Sequence, residues 1–284
     1  MIRIWALYVD RVTLRLPPME SALRNRSGRA TFLCYHSVAA RGPRFLTVAP
    51  ELFERQLAEL KRRGVRGGGL ADLQDVAAGT SGPPTVFLTF DDGFVDNHHT
   101  VLPLLRRYGF RAFCFVLPPL VDAGAPLAWP EVAEDAERFP EEMVSVTWTM
   151  AEEMVAGGFE IGSHTLTHPH LSQLDPERLR EELWDSRARI AERLGACDTL
   201  AYPFGDWSPA VAAAARDCGY SFAFTLPTGV GQRDAEPLSI PRINVDARDD
   251  GRRFEMKLRP FGKQLFLSPA VGPLRRGTKR LRRA

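Results

Sequence analysis

Thr85-Val86-Phe87-Leu88-Thr89-Phe90-Asp91-Asp92-Gly93 decides how this chain is read. An apolar run that suits a buried strand ends in two adjacent carboxylates. A strand can bury Val86 and Leu88, but two neighbouring charges cannot be buried cheaply without partners. Their natural place is the C-terminal end of a barrel strand, as metal ligand or catalytic group. A second polar cluster, Ser163-His164-Thr165-Leu166-Thr167-His168, follows the short apolar stretch Phe159-Glu160-Ile161-Gly162. One carboxylate and two imidazoles make a three-ligand set for a divalent metal with a position open to water. The remaining carboxylate is then free to move protons. Taken singly, Asp-Asp-Gly is a common turn and the histidines could be solvated loop residues; it is the pairing of the two clusters that points to a site.

Around these clusters the pattern alternates between strand and helix, as in a mostly parallel α/β fold. Residues 31–35, 85–90, 112–117, 159–162, 199–202, 221–226 and 238–240 read as strands. That is about seven, one fewer than the standard α/β barrel. Residues 50–63 are predicted helical, with Leu52, Phe53, Leu57 and Leu60 on one face, and 70–78 and 96–108 are further helices. The clearest helix is 176–194, with Asp175 as N-cap, Pro176 in the first position and Gly195 closing it. Its Leu179, Leu183, Ile190 and Leu194 face the barrel, while Arg180, Glu181, Arg187 and Glu192 face water. Residues 118–146 break the rhythm with seven acids against one arginine, with Pro126, Pro130 and Pro140, and with a lone Trp129. The stretch is either an insertion over the active-site face or a solvated connector.

A length of 284 residues suits one α/β barrel, and 44% apolar with 25% charged residues is ordinary for a globular protein. The net charge of +2 conceals an asymmetry. Residues 252–284 carry eleven Lys or Arg and one acid, so the remainder is acidic, at −8. The tail reads as irregular from Arg252. It is either a solvated end or a segment lying on an anionic membrane surface, with Phe261, Leu265, Phe266 and Leu267 among the headgroups. Nucleic acid is not expected, because no helix-turn-helix or aromatic-basic platform accompanies the charge. Cys34, Cys114, Cys197 and Cys218 form no C-x-x-C pair. Cys34 and Cys114 lie in apolar strand-like runs and read as buried thiols, Cys197 and Cys218 could approach each other in space, and a reducing compartment is the expectation. The apolar stretch at residues 4–9 is too short for a secretory core and stops at Asp10 and Arg11. No run approaches a membrane span. A cytoplasmic protein, membrane-peripheral if the tail docks, is the expectation.

Together the motifs resemble the polysaccharide deacetylase family, also called the NodB-homology or carbohydrate esterase 4 family. Thr89 to Gly93 matches its T-F-D-D-G motif, and His164-Thr165-Leu166-Thr167-His168 resembles H-[S/T]-x-x-H. Ala201-Tyr202-Pro203-Phe204-Gly205 retains part of R-x-P-[Y/F], and Cys34-Tyr35-His36 is similar to the exopolysaccharide-deacetylase branch. The resemblance spans about residues 31–246. It implies a single-domain, distorted (β/α)7 barrel over residues 30–250, with an N-terminal extension (1–29), an active-site-face insertion and a basic tail (251–284).

The implied activity is metal-dependent removal of N-acetyl groups from a glycan or sugar-containing precursor. Asp92, His164 and His168 would hold Zn²⁺ or another divalent metal, with iron also suited to such a set. Asp91 would be the general base, the Phe204 N–H an oxyanion donor, and His36 the general acid. The family's third-motif arginine is replaced by Ala201 and its late histidine is missing. Arg242 is therefore expected to pair with Asp91, at ~2.7–2.9 Å for a charge-assisted bond; the plainer expectation is a surface pair with Asp246. His170 is assigned a supporting role. The same site could instead serve an O-acetyl ester or a non-sugar amide, or survive in an inactive glycan-binding barrel.

Overall fold

The computed structural model describes residues 30–80, 82–227, 236–259 and 266–267. Its parallel sheet contains β1 (Ala30–Tyr35), β2 (Thr85–Phe90), β3 (Ala112–Val116), β4 (Phe159–Ser163), β5 (Thr199–Ala201) and β6 (Phe222–Thr225). Two short pieces lie at its ends, β7 (Ile240–Pro241) and β8 (Ile243–Asn244), and Arg66–Gly67 pairs alongside β2 off the main path. The order is β7-β6-β5-β4-β3-β2-β1-β8. The two ends of that order are chain neighbours separated by Arg242 alone. Ile240 pairs with Phe224 on β6, and Ile243 pairs with Leu33 on β1. One interrupted strand thus borders both edges, and the sheet is a nearly closed seven-stranded barrel. The sequence reading ended its last strand at Ile240; the ladder to β6 runs one step further, with Pro241 opposite Thr225, and the chain then resumes pairing on the other edge. Arg242 N–H donates to Thr225 O at 3.0 Å, and Val245 N–H to Cys34 O at 2.7 Å.

Strand alternation sorts the side chains into two cores. Outward-facing Leu33, Tyr35, Val86, Leu88, Phe90, Cys114, Val116 and Leu200 pack under the helices. Inward-facing Phe87, Phe113, Phe115, Ala201, Phe222, Phe224 and Ile240, with Phe32, fill the barrel. Phe32 stacks on Phe87 at 4.7 Å between centroids, and Phe224 meets Phe115 at 5.4 Å and Phe113 at 5.8 Å. The interior can accept so many rings partly because Gly162 carries no Cβ: one there would lie 2.4 Å from Thr199 Oγ1 and 2.7 Å from Phe115 Cδ1. Phenyl rings plug the barrel, so polar chemistry is confined to its mouth.

Helices α1 (Pro50–Arg62), α2 (Leu70–Ala78) and α3 (Leu102–Tyr108) follow the expected positions, α3 being preceded by a π-helical turn at Asn97–Val101. The insertion supplies α4 (Pro118–Ala123) and α5 (Ala133–Arg138), then comes α6 (Trp148–Ala156), capped by Thr147. The insertion is no solvated connector: Leu127, Val132, Ala136 and Met143 form a small core with Leu46 and Phe94. Helix α7 (Pro176–Leu194) has the expected ends, Asp175 Oδ1 accepting from Arg178 N–H at 2.9 Å and Gly195 adopting φ 88°. Helix α8 is Pro209–Asp217.

The chain corrects one expectation after residue 250. Instead of an irregular stretch from Arg252, helix α9 (Gly251–Leu258) forms, its first turn capped by Asp250 and its Phe254 buried in the core. Lys257, which counts as tail charge in the sequence, is buried and donates to Asn244 O at 2.6 Å beside Asp249. Phe266 is 7% exposed, with its ring over the Lys257 ammonium at 5.1 Å, so it packs on the barrel rather than facing outward. Phe261, Leu265 and the basic stretch 275–283 lie outside the described residues, as do residues 1–29. No helix among the described residues is long and apolar enough to cross a membrane. All four cysteines are free and buried.

Candidate metal and hydrolytic site

Asp91 stands one residue past β2, and its N–H donates to Tyr35 O at 3.0 Å, which carries the β1–β2 ladder one step further. Alternation from Phe87 and Thr89 sends its side chain inward. The backbone then turns sharply: Asp92 has φ 72° and Gly93 φ 69°. Aspartate tolerates this left-handed region better than most residues, and glycine tolerates it freely. A Cβ on Gly93 would also lie 2.9 Å from Val116 Cγ1. The turn leaves both carboxylates buried at the barrel mouth, each 2% exposed.

The partner of Asp91 is Arg242. Its Nη1 donates to Oδ1 at 2.6 Å and its Nη2 to Oδ2 at 2.8 Å, and Nη1 also donates to Thr89 Oγ1 at 2.8 Å. Arg242 is fully buried, its guanidinium over the rings of Phe115 and Phe224 at 5.6 and 5.7 Å. Asp246 pairs instead with Arg248. Burial alone would raise the Asp91 pKa, but the Arg242 guanidinium, joined by His164 and His36, outweighs it and holds the carboxyl well below the usual carboxylate range. Cys34 Sγ adds a third donor, 3.4 Å from Asp91 Oδ2.

The histidine loop leaves β4 with His164 N–H donating to Val116 O at 2.8 Å. His164 Nδ1 lies 2.8 Å from Ala201 O, which makes Nδ1 the protonated nitrogen and presents Nε2 as a lone pair. That Nε2 is 3.3 Å from Asp92 Oδ1, and His168 Nε2 is 3.6 Å from the same oxygen. Ligand atoms ~2.0–2.2 Å from a tetrahedral ion sit about 3.3–3.6 Å from one another, so the observed spacings fit such an ion. Asp92 Oδ1 is buried and receives no well-directed hydrogen bond, the condition a cation relieves. The chemistry of the set, one carboxylate and two imidazoles, suits a borderline divalent metal. Burial, then His164, push the His168 pKa down to about 3, leaving its ring neutral as coordination requires. His164 moves the other way, because Asp92 and Asp91 outweigh its burial.

Around this centre, His36 emerges half-buried from the end of β1, its carbonyl accepting from Asn97 Nδ2 at 2.9 Å and its buried Nδ1 lacking a partner. The polar atoms of Cys34, His36 and Asp91 lie within 4.8 Å of one another, so His36 opens onto the Asp91 side. Burial lowers its pKa, against the pull of Asp92 and Asp91. Phe204, at φ 59° in the turn after β5, packs its ring edge-on to His168 at 4.6 Å, and His170 stacks on its other side at 4.1 Å. Trp129 of the insertion stacks on His168 at 4.2 Å, which puts the insertion over the site.

Three neighbours of the site escape the sequence reading. Thr89 enters the sequence reading only within the T-F-D-D-G motif and Cys34 only as a buried thiol, although their spacing from Phe87 and Phe32 already aims them inward. Glu182 was passed over among the charges of α7, yet it lies three residues after Leu179 and one before Leu183, inside the buried stripe. That register was the available signal.

A sequence-family profile described as polysaccharide deacetylase matches residues 78–223. The chain is 25% identical over 235 residues to the protein YxkH of Bacillus subtilis (strain 168), covering 81% of this chain and 76% of that one. It is 24% identical over 260 residues to the poly-beta-1,6-N-acetyl-D-glucosamine N-deacetylase of Escherichia coli (strain K12), covering 80% of this chain and 38% of the relative. Among solved structures, the deacetylase PplD of Streptococcus pyogenes in complex with acetate superposes with a TM-score of 0.70 at 23% identity, over 81% of this chain and 98% of that one.

Proposed function

The chain belongs to the polysaccharide deacetylase family, hydrolases of carbon–nitrogen bonds, and from that premise we propose that it removes N-acetyl groups from a glycan or a sugar-containing precursor with the help of a divalent metal. The observation that carries this reading is the convergence of Asp92, His164 and His168 beside a carboxylate clamped by Arg242. Asp92 Oδ1, His164 Nε2 and His168 Nε2 would hold the metal, with zinc favoured by the ligand types. When bound, such an ion supplies Lewis-acid polarisation of the acetamide carbonyl and makes a nearby water more acidic.

The chain's own residues do the rest. Asp91, ionised because Arg242 faces it, accepts the proton of the attacking water. Arg242 fixes both carboxylate oxygens, so the base presents one orientation. The Phe204 N–H faces the developing oxyanion. His36 gives a proton to the departing amine, which leaves poorly without one. Trp129 and Phe204 wall the site on the His168 side and exclude water there.

Acetate release from N-acetylated oligosaccharides tests the reading. Treatment with a strong chelator is expected to abolish release, added zinc to restore it, and Asp92→Ala to lose both tight zinc binding and activity. Release unaffected by thorough metal removal would defeat the metal mechanism. Hydrolysis of O-acetyl esters alone, or glycan binding without hydrolysis, would redirect the function while leaving the fold assignment intact.

A further inference from the structure

The loop that carries both histidine ligands is held in an unfavourable backbone conformation. Thr165 has φ 72° and His168 φ 60°, and neither is a glycine. Such angles persist only where the surroundings over-determine them. Within the loop, Thr165 N–H donates to Ser163 Oγ at 3.0 Å and His168 N–H to Thr165 Oγ1 at 3.2 Å. The remaining polar groups turn to one side chain. Leu166 N–H and Thr167 N–H both donate to Glu182 Oε2, at 2.8 and 3.0 Å, and Thr167 Oγ1 donates to Glu182 Oε1 at 2.6 Å. Glu182 is fully buried on α7, with Arg178 Nη2 donating to Oε1 at 2.8 Å. One helical turn further, Ser186 Oγ meets Ser163 Oγ at 2.8 Å, so α7 grips the loop at base and crown.

We propose that Glu182 is the positioning residue of the metal site: its carboxylate templates the crown of the His164–His168 loop and so sets metal affinity without touching the metal. Two successive N–H groups aimed at one oxygen form an anion-binding concavity, here filled from within the protein. A buried acid on a helix face otherwise made of Leu179, Leu183, Ser186 and Ile190 has no packing purpose that leucine would not serve better. Its value lies in the bonds to the loop. Without them Thr165 and His168, which flank the crown, are free to leave the left-handed region, the ligands spend less time converged, and apparent affinity falls by the lost fraction.

The inference rests on the metal reading above, and zinc affinity of the full chain, measured by competition with a chromogenic chelator, separates the two. Glu182→Ala is expected to bind zinc ~10–100-fold more weakly, the range for residues that orient metal ligands. Glu182→Gln keeps an amide oxygen for the two N–H groups and should stay close to parental affinity, as should Arg178→Ala, which removes the ion pairs with Glu181 and Glu182 but none of the bonds from Glu182 to the loop. Ala and parent binding alike would overturn the proposal, and so would Gln binding as weakly as Ala. If Glu182→Ala fails to fold, Thr167→Val, which loses one of the three loop bonds, is expected to bind several-fold more weakly, and parental affinity there overturns the proposal. A parent chain that binds no zinc would overturn both readings; a parent that binds while the variants do not differ overturns only this one.

Discussion

Asp91→Asn should bind zinc with parental affinity and release acetate ~10²–10⁴-fold more slowly, the usual cost of losing a general base. The amide keeps the shape of the carboxylate and leaves Asp92, His164 and His168 untouched, so ligation survives while proton acceptance does not. The substitution also leaves Arg242 facing a neutral group in the barrel interior. Removing one partner of a buried ion pair costs about 3–5 kcal/mol, so the variant should unfold at distinctly lower denaturant concentration. Titration with zinc, initial-rate assays and urea unfolding on one preparation check all three. Parental turnover would remove Asp91 from the mechanism, and loss of zinc would mean the two aspartates do not divide their labour as described.

Arg242→Met should lose stability by a similar ~3–5 kcal/mol at neutral pH, and the pH dependence should reverse sign. In the parent, the folded Asp91 pKa lies below its unfolded value of about 3.9. Its stabilising contribution is therefore present above that value and fades only as pH falls through the much lower folded pKa. Without the guanidinium, burial dominates and the folded pKa rises above the unfolded one. Ionising Asp91 then opposes folding, so stability should decline as pH rises from about 4. The acid limb of kcat/KM should move up by ~1–3 pH units, the usual influence of an adjacent arginine. Combining Arg242→Met with Asp91→Asn should recover much of the stability either change loses, without recovering activity. Lysine at 242 is a poor substitute, having no planar fork to grip two oxygens. A variant whose acid limb coincides with the parent's would show that Arg242 does not govern the base.

Elements with local punctuation were the legible ones. Asp175, Pro176 and Gly195 bound a helix whose ends match the sequence reading, and 85–90 is bounded as read because an apolar run meets Asp-Asp-Gly. The partner of Asp91 was also within reach. A buried carboxylate needs a cation, position 201 offers alanine, and Arg242 closes a late strand; the two side chains meet at 2.6 and 2.8 Å. What stayed hidden depends on tertiary register. Trp129 meets His168 only because the insertion folds on a core of its own. Helix α9 was masked by charge: Arg252, Arg253 and Lys257 drew attention as tail, while the Asp250 cap and Phe254 were the signals that mattered.

The position of Arg242 between β7 and β8 has a further consequence, for the order in which the protein matures during its synthesis. The acid and its counter-charge are 151 residues apart in the chain, and the same five-residue segment that brings the guanidinium also joins the two open edges of the sheet. Although chains often fold from the N-terminus as they are made, everything up to β6 must wait here with an unclosed barrel and an unpaired acid at its mouth. Closure and charge neutralisation then arrive together. Ribosome-bound chains stalled before Arg242 emerges should therefore be cut readily by protease between β2 and β4, and chains stalled well beyond it should resist. Progressive resistance gained strand by strand would show instead that the half-built barrel shelters Asp91 unaided.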